Sequence, residues 1–450
     1  MDVAQGLMTA DPITLVVHGP PGSAPPVMAE ALRAAITAAG LSPWSLLPRG
    51  DDPGIDAIAE LERHPGAGVI GASSALALAQ RGVRVALVDR DAGEPAAPAA
   101  SWASAGGVRS QNRKPAEWPL TQAAAALWPS LGAQLGADLE WVQGGHLHLA
   151  ESEAEAESLA ARGRREAAGG IGIEFVEGAA LPAIVPGLGR SAIAGAYTPR
   201  DGQANPPRAV LAYRAAAARA GCVLRLGEPA ALRVVQGRVE GVETPSGTIL
   251  AGSVVLAAGA WGGMLLAPHG LDLPLRRRAL QMLLSDTEGE AMTLLPTVTA
   301  ERRRLSLKQV PGGAYLLGGS WPAEIGPDDC TRLQESAIAG SWAHAVGILP
   351  ALAQCRIAQA WAGIEAQTPD GLPLIGRWPA LEGLVLACGF SNHGFQLSPA
   401  VGPLVADLVL GTAPDWARAL DPARLAQLDP AALAAFRDEP QPIPAATVPA

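Results

Sequence analysis

Two glycine-rich stretches, one around residue 68 and one around residue 394, carry the residue types and spacings that point to chemistry. The first reads Gly66-Ala67-Gly68-Val69-Ile70-Gly71, a G-x-G-x-x-G. In such a spacing the first glycine permits a tight turn, the second lets backbone N–H groups approach a diphosphate, and the third lets the following helix pack on a sheet. The flanking sequence fits that use. Residues 72–81 are rich in Ala and Leu with a helical period, Gly82 breaks the run, 83–88 read as a mostly apolar strand of the parallel type, and Asp89 closes it. An acid at that position accepts hydrogen bonds from a ribose diol, so the segment implies a dinucleotide site.

The second stretch, Gly389-Phe390-Ser391-Asn392-His393-Gly394-Phe395-Gln396-Leu397-Ser398-Pro399, follows an apolar strand at 384–388 and precedes an apolar helical run at 400–410. Reading Ser398 as N-cap and Pro399 as the first helical residue, the helix starts there and aims its N–H groups out of the strand's carboxyl end, a place that stabilises negative charge. His393, in this loop, is the titratable group to test first. A purely structural hydrogen bond to backbone is the alternative.

The elements that must hold these loops are only partly legible. A strand should run straight into Gly66, yet Glu60-Leu61-Glu62-Arg63-His64-Pro65 is polar, helix-like and ended by proline. Either the apolar run 13–17 supplies that strand, or the atypical segment 1–64 has replaced it. Within that segment 18–26 reads as a loop, 27–39 as a helix, and Ile55, Ile58 and Leu61 recur at helical spacing. Residues 430–437 read as a short helix capped by Asp429, and the end from Pro440 as loose. His146 and His148 alternate on one face of a strand; with no third ligand nearby, no metal site is expected.

Composition narrows the class. The 450 residues are enough for two or three domains, and 49 % hydrophobic against 17 % charged residues excludes wholesale disorder. A net charge of -10 without basic runs argues against nucleic acid as partner. Cys222, Cys330, Cys355 and Cys388 lie far apart and read as reduced, buried small hydrophobes. With neither a signal peptide nor an apolar run fit for a transmembrane segment, a cytoplasmic protein is expected.

Besides the glycine loop, five segments occur in a recognisable order: Ala100-Ser101-Trp102-Ala103-Ser104-Ala105-Gly106-Gly107-Val108-Arg109; Asp201-Gly202-Gln203-Ala204-Asn205-Pro206-Pro207-Arg208; Val254 to Trp261; Trp361 to Gly376; and Gly389 to Pro399. Together with the glycine loop they resemble the FAD-dependent D-amino-acid oxidase superfamily, over roughly Gly66 to Gly411. The resemblance implies an α/β protein in which a discontinuous, Rossmann-like FAD-binding domain (66–145, 205–265, 355–420) carries a mainly antiparallel-sheet substrate domain (146–204, 266–354), with 421–450 as a tail. It implies a diphosphate at Gly66, Gly68, Val69, Ile70 and Gly71, and a ribose at Asp89, with Arg90 beside it. The flavin ring is expected near Ser101, Ala105, Gly106 and Gly107, with Gly259, Trp261 and Gly363 close by. Gly389 and the backbone of Gly394, Phe395, Gln396 and Leu397 would face its pyrimidine end.

The chemistry so implied is hydride transfer from the C–H beside a substrate nitrogen to flavin N5, giving an imine that water hydrolyses. Two departures bear on the substrate, an amine or amino acid. Many relatives carry, in Trp-x-Gly-x-Arg-Pro, an Arg that clamps a carboxylate; Glu365 stands there, followed by Ala366. A buried Glu365 would repel a carboxylate and favour an amine; otherwise Arg109 supplies the clamp, or Glu365 merely pairs with an Arg. Monomeric sarcosine oxidases, similar around Gly313 to Gly318, carry near Leu316 a Lys that promotes reaction with oxygen. Lys308, one of two lysines with Lys114, is the substitute on the preceding strand. Failing that, electrons pass to another acceptor or a partner subunit. Gln281 is expected on a strand over the flavin. Rival readings are a non-catalytic or weakly FAD-binding relative, and a serine hydrolase built on Ser391, which misses G-x-S-x-G because His393 stands in the fifth position.

Overall fold

The apolar runs Val85–Asp89, Ser253–Leu256 and Leu384–Cys388 bury both faces, as strands do inside a sheet covered by helices. They belong to a six-stranded sheet in the order Leu374–Arg377, Leu384–Cys388, Ser253–Leu256, Thr14–His18, Val85–Asp89, Val223–Leu226, parallel except at the first pair. The computed structural model describes residues 14–18, 68–91, 98–286 and 293–438; the helix expected at 27–39, the one around Ile55, Gly66 and the end from Pro440 lie outside them. Val16 pairs with both Val255 and Leu87, so a strand from the N-terminal segment occupies the sheet position that should precede Gly66. This is the first of the two alternatives left open by the sequence.

Helix Val69–Gln80 packs against helix Gly394–Leu410 at a crossing that requires glycine: a Cβ on Gly402 would stand 2.4 Å from the carbonyl oxygen of Ser73. The second helix corrects the expected start. It begins at Gly394 with His393 as N-cap, and Ser398 and Pro399 lie inside it. Pro399 has no N–H for the carbonyl of Phe395, four residues back; the Ser398 hydroxyl donates to that carbonyl instead, at 2.9 Å. A serine before a proline therefore looks like a cap in sequence while repairing a helix interior.

Strand Arg276–Ser285 pairs along its length with Ile357–Gln367 and, on its other edge, with Pro322–Ile325 and Tyr315–Gly318. From Tyr315–Gly318 the larger sheet continues through Ser306–Gln309, Thr297–Ala300, His146–Ala150 and Ala194–Thr198 to Glu174–Glu177. All its pairings are antiparallel except that of Thr297–Ala300 with His146–Ala150. The segment 421–428, expected within the tail, packs on the molecule: Leu425 is buried, and the Arg424 guanidinium donates to both carboxylate oxygens of Asp370 at 2.7 and 3.1 Å. All four cysteines are free, but only Cys222 and Cys388 are buried; Cys330 and Cys355 are half-buried. Among the described residues no helix is long and apolar enough to cross a membrane.

Candidate active site

A cavity of about 620 Å³ opens where the glycine-rich turns of the smaller sheet meet the larger one. Val69 and Ile70, in the first turn of helix Val69–Gln80, form one end. That helix starts on Gly68 with no side-chain cap; Val69 N–H donates to Ser101 Oγ at 3.0 Å, and the remaining first-turn N–H groups have no helical carbonyl to bond. At Gly106, φ is +71° and a Cβ would stand 2.1 Å from the Ala204 carbonyl oxygen, so only glycine makes this turn. At Gly107, which lines the cavity, a Cβ would meet no protein atom within 4 Å.

The opposite wall is the loop before helix Gly394–Leu410. Two consecutive non-glycine residues, Ser391 (φ 47°) and Asn392 (φ 73°), hold left-handed backbone there, a conformation that persists only where the surroundings impose it. The Ser391 N–H donates to the Ala366 carbonyl and its hydroxyl accepts from Thr368 N–H, pinning the loop to the long strand. The helix's first turn therefore presents Gly394 and Phe395 to the cavity with its N–H groups open. Trp128, fully buried, donates from Nε1 to the Gln396 carbonyl at 2.8 Å and packs against Phe395 with the two rings tilted by 48°.

The expected residues divide. Val69, Ile70, Ser101, Ala105, Gly106, Gly107, Gly259, Trp261, Gly363, Gly389, Gly394 and Phe395 all line this one cavity, as do Arg109, Glu365 and His393. Gly68 caps the helix whose first residues, Val69 and Ile70, line the cavity, and Gly71 is buried in that helix, while Gln396 and Leu397 are buried in the core. Asp89 is buried with its carboxylate accepting Asp91 N–H at 2.8 Å, and Arg90 lies over the Trp261 ring at 4.9 Å; neither lines the cavity. Gln281 corrects an expectation: Leu280 and Met282 line the cavity, and strand alternation turns Gln281 to the other face. Lys308 is buried close by without lining the cavity and makes no hydrogen bond among the described residues; burial pulls its ammonium down to about 7, partly opposed by Glu140.

His393 lines the cavity, and its ring hydrogen bond goes to a side chain and not to backbone. Its Nδ1 donates to the fully buried Glu117 carboxylate at 2.9 Å. Burial, with Arg113 nearby, lowers the imidazole to about 4 against the pull of Glu117, so the ring is neutral at pH 7. Burial would raise Glu117, but the His393 hydrogen bond and Arg113 outweigh it and keep the carboxylate ionised. Arg109 is delivered by a loop that buried carboxylates pin: Asp201 accepts Ser110 N–H at 2.9 Å and Glu166 accepts Asn112 N–H at 2.8 Å. Its half-buried guanidinium makes no hydrogen bond among the described residues. Burial and Arg113 lower it to about 9, still charged at pH 7.

Glu365 faces Arg278 across the strand pair and accepts from Gln367 Nε2 at 3.3 Å. Burial dominates and pushes its carboxyl up to about 8 despite Arg278, so it holds its proton at pH 7. A protonated Glu365 donates a hydrogen bond and does not repel a carboxylate, which alters the expectation drawn from the sequence. Ser391 makes no hydrogen bond to His393 among the described residues, so no nucleophile–base pair forms there. Arg113, Glu117, Arg278 and the pair Thr299 and Glu301 escaped the sequence reading. Thr297, Thr299 and Glu301 repeat the alternation of His146 and His148, which was the available signal.

Open N–H groups at two helix starts, side-chain-free turns between them and a cavity that a Cβ at Gly107 would enter fit a diphosphate joined to a flat ring. That is the site of a flavin dinucleotide protein. The chain belongs to the DAO family, described as FAD dependent oxidoreductase, whose profile matches residues 66–408. It is similar to a glycine oxidase of Pseudomonas aeruginosa, 34% identical over 78% of this chain and 94% of that one. It is also similar to the sarcosine oxidase subunit beta of Rhizobium meliloti, at 28% identity over 68% and 74% of the two chains. The crystal structure of L-proline dehydrogenase from P. horikoshii superposes with a TM-score of 0.74 at 27% identity, covering 80% of this chain and 96% of that one.

Proposed function

We propose that this chain oxidises the C–N bond of an amino acid or secondary amine to an imine that water then hydrolyses. When bound, FAD supplies the two-electron acceptance that no side chain here provides. The observation that carries the reading is the Arg109 guanidinium: charged, on the cavity wall, without a hydrogen-bond partner among the described residues, and sharing that cavity with a protonated Glu365. A substrate carboxylate accepts from Arg109, and Glu365 donates to the same end of the substrate, which fixes the carbon beside nitrogen against the cavity floor. Val69, Ile70 and the turn at Gly106 would hold the diphosphate and ring edge, and the first turn of helix Gly394–Leu410 would face the ring's electron-rich end. The smaller sheet, with Thr14–His18 as its central strand and the rest of it and its helices drawn from 66–145, 205–265 and 355–420, serves as the cofactor domain, and the larger sheet, which also takes in Ile357–Gln367, as the substrate domain.

Lys308, only partly charged at neutral pH, is the group we assign to the oxygen half of an oxidase cycle; without it, electrons pass to another acceptor or a partner subunit, as the likeness to a sarcosine oxidase subunit favours. The acidic chain and its free cysteines favour a reducing compartment such as the cytoplasm. The direct test is anaerobic flavin bleaching with D-amino acids, N-methyl amino acids, proline and simple amines, repeated in air to report the acceptor. A flavin that dithionite reduces and none of these compounds does would end the amine assignment.

Glu365 also makes a stability prediction. Its folded-state value of about 8 lies above the usual 4.5, so between those values the folded protein binds more protons than the unfolded chain and stability falls as pH rises. Glu365→Gln is expected to flatten that fall, seen as denaturation midpoints that differ less between pH 5.5 and pH 8.5 than in wild type. Equal slopes in the two proteins would show that Glu365 ionises normally.

A further inference from the structure

The ring of His393 is held from behind. Its Nδ1 lies 2.9 and 3.0 Å from the two oxygens of Glu117, a carboxylate with no exposed surface. The backbone is fixed as well: His393 N–H donates to the Phe390 carbonyl at 2.8 Å, and the His393 carbonyl accepts Leu397 N–H at 3.1 Å. The other ring nitrogen, Nε2, makes no hydrogen bond among the described residues and remains accessible. The side chain keeps 16% of its surface open, and it lines the cavity.

Chemistry fixes the tautomer. An ionised carboxylate only accepts, so the ring hydrogen sits on Nδ1. Imidazole carries a second hydrogen only when charged. Burial opposes that charge, as do Arg113 and Arg109, and together they outweigh the pull of Glu117. At pH 7 Nε2 therefore presents a bare lone pair to the cavity. Two groups that share the cavity are of the opposite kind: the Arg109 guanidinium and the protonated Glu365 carboxyl both donate. Arg109 is close enough for its charge to act on the imidazole. In an α-amino acid the nitrogen stands two bonds from the carboxylate carbon, so a carboxylate seated on Arg109 brings an N–H donor to the neighbourhood of this acceptor.

We propose that Nε2 of His393 accepts a hydrogen bond from the N–H of the substrate amine, and that the chain thereby takes primary and secondary amines and discriminates against tertiary ones. The inference rests on the amine-oxidation reading. When hydride leaves the carbon for the flavin, the C–H bond pair goes with it. The nitrogen lone pair closes the C=N bond, so the nitrogen turns positive while keeping its hydrogen. An iminium N–H is a stronger donor than the amine N–H it came from, and the bond to Nε2 tightens in the transition state. A neutral tertiary amine brings no N–H, and its extra alkyl group leaves Nε2 out of water without a partner.

His393→Asn keeps an amide N–H where Nδ1 donates to Glu117 and leaves nothing where Nε2 stood. His393→Gln returns an acceptor oxygen to that place. In flavin-loaded protein, the anaerobic stopped-flow reduction rate at saturating sarcosine should fall about tenfold or more in His393→Asn, with the half-saturating concentration changed by less than about threefold. His393→Gln should recover to within about threefold of wild type. The tertiary homologue N,N-dimethylglycine should reduce wild-type flavin at least about tenfold more slowly than sarcosine, and His393→Asn should slow it no further. An equal loss with both amines, as a hydrogen bond to the flavin itself would give, overturns the proposal. So does a wild type that takes both amines equally fast. Nitrogen-15 NMR of the substrate-free holoenzyme gives a readout without turnover: His393 should be neutral at pH 7, protonated on Nδ1 and bare on Nε2. A charged ring, or a proton on Nε2, overturns the proposal. Should sarcosine, glycine and L-proline all fail to bleach a wild-type flavin that dithionite reduces, the amine-oxidation reading fails and takes this inference with it. Bleaching by sarcosine at an unchanged rate in His393→Asn fails the inference alone.

Discussion

Gly68→Val is expected to leave a folded protein that keeps less than about a tenth of the wild-type flavin. Gly68 has φ -67° and ψ 165°, a conformation open to any residue, so valine strains no backbone there. The change at the cap position itself costs about 1 kcal/mol or less. What it removes is access: glycine is the residue immediately before the open first-turn N–H groups, and a branched side chain covers the line along which a diphosphate reaches them. Absorbance near about 450 nm per mole of protein after gel filtration reads the flavin, and far-ultraviolet circular dichroism confirms the fold. A variant that stays as yellow as wild type would move the diphosphate away from this helix.

Arg109→Met should raise KM for a carboxylate-bearing substrate by about 10²- to 10³-fold, the cost of leaving a buried charge unmatched. The same variant should change KM little for an amine without a carboxylate, since nothing else on that substrate reaches the guanidinium. The loop that carries Arg109 is held by Asp201 and Glu166 through backbone N–H groups of Ser110 and Asn112, so the substitution leaves the loop in place. Equal losses with both substrate types would make Arg109 part of the scaffold, and the carboxylate clamp would have to be sought at Arg278.

Local signals carried the parts of this molecule that are contiguous in the chain. The glycine loop, the turn at Gly106 and the loop at 389–395 are each spelled out within a dozen residues, and the structure brings them to one cavity. What escaped depends on partners far apart in sequence. Glu117 meets His393, and His148 meets Glu301, only after the sheets assemble. Gln281 was misplaced because a strand's period of two tells which residues share a face, not which face meets the cavity. The helix at Gly394 was started late because Ser-Pro is an N-cap signature that a serine repairing a proline gap imitates. The polarity of 60–65 signalled that the glycine loop lacked its usual neighbour, but no local feature of 13–17 announced that it would sit between strands ending at Asp89 and Leu256.

That central strand has a cost in robustness. Taking Thr14–His18 out of register with its neighbours splits the smaller sheet into a two-stranded and a three-stranded remnant, because among the described residues no other strand joins Val85–Asp89 to Ser253–Leu256. The raw edges so exposed are short, five and four residues, but apolar and free of the lysines and prolines that discourage strand addition by a neighbouring molecule. Deleting residues 14–18 is therefore expected to yield precipitate in place of a colourless but soluble apoprotein.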